Sequence, residues 1–359
     1  MQISVISALH LQQSVPLAPF TTFGIGGPAR YFCEITSEAT LLEAIQFARR
    51  EKLEIFVLGG GSNLLISDAG FNGLVLHIAI DASIHTESTT QTIDVTAPAG
   101  LDWDTFVLQI CQQGISGIEC LAGIPGSVGG TPVQNVGAYG QEVAETIHSV
   151  RALDLQTLNF VTLPREACGF SYRRSIFNST QRGRYIVTHV TFRFDPAATP
   201  NLTYADLLRF FGDDAHPDPL EVYHAVRTIR HSKGMLLVAG EQDCRSAGSF
   251  FKNPIVPATT LTQIAATLQL DPTDIPHWPA PDGLIKLPAG WLLERAGFPK
   301  GFTPFPDSPA GISSRHTLAL INRGHATASD VIALRDLIRA KVLTQFNIQL
   351  DQEPVQLGA

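Results

Sequence analysis

Ile55-Phe56-Val57-Leu58-Gly59-Gly60-Gly61-Ser62-Asn63 is the stretch on which the fold turns: four apolar residues run straight into three glycines and two small polar residues. The apolar run reads as a strand. Consecutive backbone N–H donors without β-carbons let the main chain wrap closely around a pyrophosphate, although a tight turn between two strands would use the same residues. Upstream, Ser37 or Thr40 caps a predicted helix over 37–51, with Leu41, Leu42, Ile45 and Ala48 on one face. Together these elements give a β-α-β start that ends in a glycine loop.

Working outward, a second helix is predicted over 102–113, with Trp103, Phe106, Val107 and Ile110 inward and Gly114 as its stop. A second glycine-rich tract follows, Ala122-Gly123-Ile124-Pro125-Gly126-Ser127-Val128-Gly129-Gly130-Thr131. Two such nests can grip one dinucleotide from both sides. Familiar nucleotide fingerprints fail. Gly24-Ile25-Gly26-Gly27-Pro28-Ala29 has the G-x-G-x-x-A spacing, but strand-like Tyr31-Phe32-Cys33 follows where a helix is needed, so it reads as a turn. Neither glycine loop ends in Gly-Lys-Ser/Thr, which excludes a P-loop.

Residues 150–195 look strand-rich, and a helix is predicted over 219–233, with Val222, Ala225, Val226 and Ile229 in register and Gly234 ending it. A late helix places Val331, Leu334, Leu337 and Ile338 on one face, and a short strand is expected over 347–350. At 359 residues, with 44% hydrophobic and 16% charged residues, the chain is long enough for two or three ordered domains. A formal net charge of −8 with no basic run argues against nucleic acid or a membrane surface as partner. The uncharged stretch between Glu119 and Glu142 carries six glycines and two prolines, a poor composition for a spanning helix. Five widely spaced cysteines without a Cys-x-x-Cys pair fit buried thiols in a reducing compartment, with no metal site. The first charged side chain is Arg30, so no secretory leader is expected and a cytoplasmic protein is; a monomer is the expected state.

The two glycine tracts, with Gln134-Asn135-Val136-Gly137-Ala138-Tyr139-Gly140, Tyr172-Arg173-Arg174-Ser175-Ile176-Phe177, Ala247-Gly248-Ser249-Phe250-Phe251-Lys252-Asn253-Pro254 and Gly290-Trp291-Leu292-Leu293-Glu294-Arg295-Ala296-Gly297, resemble the UDP-N-acetylenolpyruvoylglucosamine reductase family in order and combination. Tyr204 resembles the substrate-loop tyrosine of the family's longer type. The resemblance implies an α+β fold: a two-part FAD-binding module like that of vanillyl-alcohol oxidase (PCMH type), then an α+β substrate-binding domain. The expected divisions are 1–80 and 81–227 for the flavin, with a final strand in 346–359 returning to the first part, and 228–345 for the substrate. Non-covalent FAD is implied, since Ser62-Asn63 stands where a tethering histidine would be, with NADPH as co-substrate. Its contacts would be Gly59, Gly60, Gly61, Ser62, Asn63, Leu64, Gly123, Ile124, Pro125, Gly126, Ser127, Gly129, Gly130, Asn135, Gly137, Ala138, Tyr139 and Ile186.

The reaction so implied converts an enolpyruvyl sugar nucleotide into UDP-N-acetylmuramate by hydride addition at C3 and protonation at C2. Negative charge builds at C2 and spreads into the neighbouring carboxylate, so the site needs a proton donor and fixed donors at the carboxylate. By resemblance Ser249 is the proton donor, Arg173 clamps the carboxylate, and Glu353 donates to it as a neutral acid. Taken singly, Ser249 would read as a turn serine, Arg173 as a surface cation and Glu353 as part of an acidic tail. Asp351 would share a strand face with Glu353 and competes for its role. Tyr204, Arg230, Lys233, Asn253 and His316 are the expected substrate contacts, with an exposed helix-end lysine and a structural histidine as alternatives for Lys233 and His316. Two rival functions stay open: an FAD-dependent sugar or hydroxy-acid oxidase of the same fold, and a non-catalytic nucleotide-binding protein.

Overall fold

The computed structural model describes residues 9–212 and 214–358. In chain order come β1 (Leu11–Pro16), β2 (Pro28–Ile35), α1 (Glu38–Arg50), β3 (Ile55–Leu58), β4 (Leu64–Ile66), β5 (Phe71–Ile78), β6 (His85–Ser88), β7 (Ile93–Pro98) and α2 (Trp103–Gln112). A short hairpin, β8 (Gly137–Ala138) and β9 (Gln141–Glu142), precedes β10 (Ile147–Asp154), β11 (Asn159–Pro164), β12 (Tyr185–Phe194), α3 (Ala205–Phe211) and α4 (Pro219–Ser232). The remainder holds β13 (Ile255–Pro257), α5 (Thr259–Leu268), β14 (Trp278–Pro279), β15 (Leu284–Lys286), α6 (Ala289–Arg295), β16 (Ala310–Ile312), β17 (Leu320–Asn322), α7 (Ala328–Phe346) and β18 (Val355–Leu357). The chain divides into two compact units that interleave in sequence. One comprises residues up to Val15, Ala29–Gly61 and Phe71–His231; the other comprises Pro16–Pro28, Ser62–Gly70 and the chain from Ser232.

The first unit contains two sheets. Its four-stranded sheet runs β1-β2-β5-β3, with β5 parallel to both β2 and β3, so buried residues crowd β5. The five-stranded sheet runs β11-β10-β12-β7-β6 and is antiparallel throughout. α1 begins where Ser37 accepts the Thr40 amide, carries Glu38 in its first turn and two arginines in its last, and buries Leu41, Ala44, Ile45 and Ala48. Glu38 also receives a bidentate pair from Arg151 of β10 at 2.8 and 2.9 Å and the Thr188 hydroxyl of β12 at 2.7 Å, which ties the helix to the second sheet. Those donors hold the Glu38 pKa below the usual carboxylate range in spite of burial, the largest influence, which acts the other way. α2 packs Trp103 and Phe106 against Phe192 of β12, with the last two ring centres 4.9 Å apart.

The second unit is built around α7. Thr327 and Asp330 form a capping box at its start, and Asp68 accepts the Ala328 and Ser329 amides there. Val331, Leu334, Ile338, Val342 and Phe346 form its buried stripe. Leu337, expected on that face, is 46% exposed: it lies one residue off the stripe, about 100° around the helix. The strand expected over 347–350 is absent. Ile348 and Leu350 are buried there without ladder partners, and the terminal strand is β18, parallel to β4.

The five cysteines are free and buried. Burial pushes the Cys33 thiol up to about 11 and Cys168 up to about 12, which suppresses the thiolate at neutral pH. Among the described residues no helix is long and apolar enough to cross a membrane, and no cluster of histidine, cysteine and carboxylates is arranged to hold a metal ion.

Candidate active site

The second glycine tract hangs on the amino end of α2. The Trp103 amide donates to the Gly126 carbonyl at 3.0 Å, its indole donates to Leu121, and the Val128 and Gly129 amides return to Leu101 and Ala99. Gly123 makes the turn, with φ +67°, a region that side chains with a β-carbon rarely enter. Its amide donates to Asp104 of α2. Ser127 is buried, whereas Ile124, Pro125, Gly126 and Gly129 are half-buried and Gly130 is exposed.

The first glycine loop lies against this tract. A β-carbon on Gly60 would stand 2.5 Å from Gly126 Cα, and one on Gly59 would stand 2.9 Å from Ser127 Oγ. Two stretches of main chain thus touch where no side chain fits, which is the form a pyrophosphate cradle takes. The residues present fit a dinucleotide such as FAD. Gly60→Ala must move the backbone of Gly126, so FAD titrations should show affinity weakened at least tenfold. Wild-type affinity in that variant would disprove the cradle.

Next to the tract, Asn135 adopts φ +47° and is buried; its amide donates to Glu142 at 2.7 Å and to the Ser171 carbonyl at 3.1 Å, while its oxygen accepts the Ala144 amide. Asn135 therefore braces the β8–β9 hairpin against the turn that carries Arg173. In that turn Ser171 and Arg174 exchange both backbone hydrogen bonds, and Arg173 at the corner has φ +54°. Asn178 donates to the Arg173 carbonyl, and the guanidinium donates to the Gly137 carbonyl at 2.8 Å. A left-handed arginine costs about 1–2 kcal/mol, a strain retained where position matters. Arg174 is exposed. Tyr139, also left-handed at φ +49°, meets the ring of Tyr204 edge-on at 5.3 Å; Tyr204 stands 42% exposed at the start of α3. Ala138 is half-buried in β8, and Ile186 is buried in β12 opposite Leu153.

In the second unit, an isolated antiparallel bridge pairs Phe251 with Gln352, and the Glu353 amide donates to the Phe250 carbonyl at 2.9 Å. Ser249 and Glu353 are thereby brought onto neighbouring segments, both half-buried, while Asp351 is exposed. Asn63 holds the same end: its side chain donates to the Glu353 carbonyl at 3.4 Å, and its carbonyl accepts the Val355 amide. Ser62 and Leu64 flank it, half-buried, with Leu64 opening β4. Asn253 accepts the Ala289 amide at the start of α6 through its oxygen, so the other end of the side-chain amide is a donor. His316 Nδ1 accepts the Leu318 amide, which fixes the ring within its own turn. Lys233 is half-buried just past α4, followed by Gly234 at φ +65°.

A group on α2 and α4 escaped the sequence reading except for Arg230, an expected substrate contact. Tyr223, Arg227 and Arg230 lie on one face of α4 and converge with Asp104 on Gly123. Their spacing, Tyr-x3-Arg-x2-Arg, is a helical signal that could have been read.

Comparison with known proteins gives the family and the fold. Residues 29–157 match the model described as an FAD binding domain, and 240–357 match the UDP-N-acetylenolpyruvoylglucosamine reductase C-terminal domain. The chain is similar to the UDP-N-acetylenolpyruvoylglucosamine reductase of Thermobifida fusca, 43% identical over 96% of this chain and 98% of that protein. It is likewise similar to that of Nocardia farcinica, 41% identical over 97% and 90%. A crystal structure of the same enzyme from Thermus caldophilus superposes with a TM-score of 0.65 at 24% identity, covering 98% of this chain and all of the other.

Proposed function

Because the chain belongs to the UDP-N-acetylenolpyruvoylglucosamine reductase family, we propose that Arg173, Ser249 and Glu353 carry its chemistry and that the two glycine loops hold its flavin. The protein is an FAD-dependent oxidoreductase that reduces UDP-N-acetylenolpyruvoylglucosamine in peptidoglycan precursor synthesis. Its fold is a PCMH-like FAD-binding arrangement with a C-terminal domain of the reductase type. The observation that carries the flavin assignment is the contact of Gly60 with Gly126, too close for any β-carbon.

FAD held by the two glycine loops would supply the hydride-transfer chemistry between NADPH and C3 of the enolpyruvyl group that no side chain can. Ser249 gives its hydroxyl proton to C2, so the carbon–carbon double bond is replaced by one new C–H bond at each carbon, and the serine recovers its proton from water. The planar fork of Arg173 gives parallel hydrogen bonds to the carboxylate as charge spreads into it. Glu353 donates a further hydrogen bond as a neutral acid, a role that its half-buried place beside Ser249 supports over exposed Asp351. Tyr204, Lys233, Asn253 and His316 hold the sugar nucleotide. Residues 1–80 and 81–227 serve the flavin, 228–345 serve the substrate, and the enzyme works as a cytoplasmic monomer with NADPH as its co-substrate.

Anaerobic spectroscopy tests the whole reading. Yellow protein should bleach on adding NADPH and recover its colour only when the enolpyruvyl sugar nucleotide arrives; recovery in air at the same rate would favour the oxidase. Glu353→Ala should lower kcat by roughly 10²–10³-fold, with Glu353→Gln restoring part of it and Asp351→Ala within twofold of wild type. An unaffected Glu353→Ala enzyme removes the glutamate from the mechanism.

A further inference from the structure

Gly123 is held from two sides by charged groups, one on α2 and one on α4. Asp104 Oδ1 accepts its amide at 2.5 Å, and Arg230 Nε donates to its carbonyl at 3.1 Å. The other oxygen of Asp104 accepts the Tyr223 hydroxyl at 3.2 Å and pairs with Arg227. Burial, and then the Asp104 charge, push the Tyr223 pKa up to about 12, so it remains a donor at neutral pH. Arg230 is only 7% exposed. Burial pulls its pKa down, while Tyr139, hydrogen-bonded to it, and Asp104 pull the other way. Burying a guanidinium is costly, and an apolar residue at that helix position would pack more cheaply. The cation is spent instead on one loop carbonyl and one tyrosine hydroxyl. That tyrosine touches Tyr204.

We propose that Asp104 and Arg230 are positioning residues that clamp the Gly123 peptide between α2 and α4, and that Arg230, through Tyr139, sets the pose of Tyr204. Arg230 then acts from behind the loop, without binding substrate phosphate itself. The clamp fixes the left-handed turn at Gly123 and with it the direction of the amides that follow. The Tyr139 link makes the Tyr204 end of the site respond to the state of the cradle. This inference rests on the flavin and substrate roles proposed above, and its test separates the two.

Hydrogen exchange of the FAD-free protein reads the clamp without cofactor. Asp104→Asn and Arg230→Lys should each speed exchange in the peptide containing Gly123 by at least tenfold, with core peptides of β10 and β12 unchanged. FAD titrations of the same variants should show affinity weakened at least tenfold. Tyr139→Phe removes only the hydroxyl link: KM for the enolpyruvyl sugar nucleotide should rise at least fivefold, a larger factor than any fall in kcat or in FAD affinity. Wild-type exchange and FAD affinity in both clamp variants would overturn the clamp, and an unchanged KM in Tyr139→Phe would overturn the coupling. If the wild-type protein itself takes up no FAD while exchange at Gly123 responds as expected, the cofactor assignment fails and the clamp stands.

Discussion

Ser249→Ala is expected to bleach with NADPH at the wild-type rate and then to remain bleached when the enolpyruvyl sugar nucleotide is added, with colour returning roughly 10²–10⁴-fold more slowly. The asymmetry follows from where the hydroxyl works. Transfer from NADPH involves no proton at C2, so losing the hydroxyl leaves that half-reaction untouched. Addition to the enolpyruvyl group leaves charge at C2 that only a nearby acid can quench, and the methyl of alanine offers none. Stopped-flow absorbance under argon measures both halves on one sample. Equal slowing of the two would point to a displaced cofactor, and wild-type recovery would remove Ser249 from the chemistry.

Arg173→Gly should separate stability from activity. Glycine relieves the left-handed corner, worth about 1–2 kcal/mol. It also loses the hydrogen bond to Gly137, worth about 0.5–1.5 kcal/mol. The two nearly cancel, so the melting temperature should stay close to wild type or rise slightly. Turnover should fall by roughly 10²–10³-fold, because the carboxylate loses its fixed cation. Arg173→Lys keeps the charge without the fork and should recover only part of that loss. Calorimetry and steady-state kinetics on the two variants decide the matter: turnover within tenfold of wild type in the glycine variant would leave Arg173 a structural residue.

Local chemistry explains which elements were readable in advance. Ser37 capping α1, the run forming β3, the helix near 102–113 and Gly234 past α4 are each decided within a few residues, and each stands where the sequence puts it. Residues 347–350 misled because Ile348 and Leu350 alternate as strand residues do, but a strand also needs a neighbour, and β4 lies alongside 355–357. The backbone of Arg173 was likewise invisible: its left-handed corner is imposed by Ser171, Arg174 and Asn178 around it. Among site residues, the glycines showed themselves by composition. The Asp104 group did not, since its members are scattered over more than a hundred positions and only packing unites them.

The parallel pairing of β4 with β18, and the bond from Asn63 to Glu353 that spans 290 residues, carry a consequence for biosynthesis. At ordinary ribosomal speeds of about 5–20 residues per second, β4 waits roughly 15–60 s for its partner to be made. During that interval Leu64–Ile66 leaves the tunnel as an unpaired apolar edge, a natural client for a chaperone, and a chain stopped before Val355 would leave it so permanently.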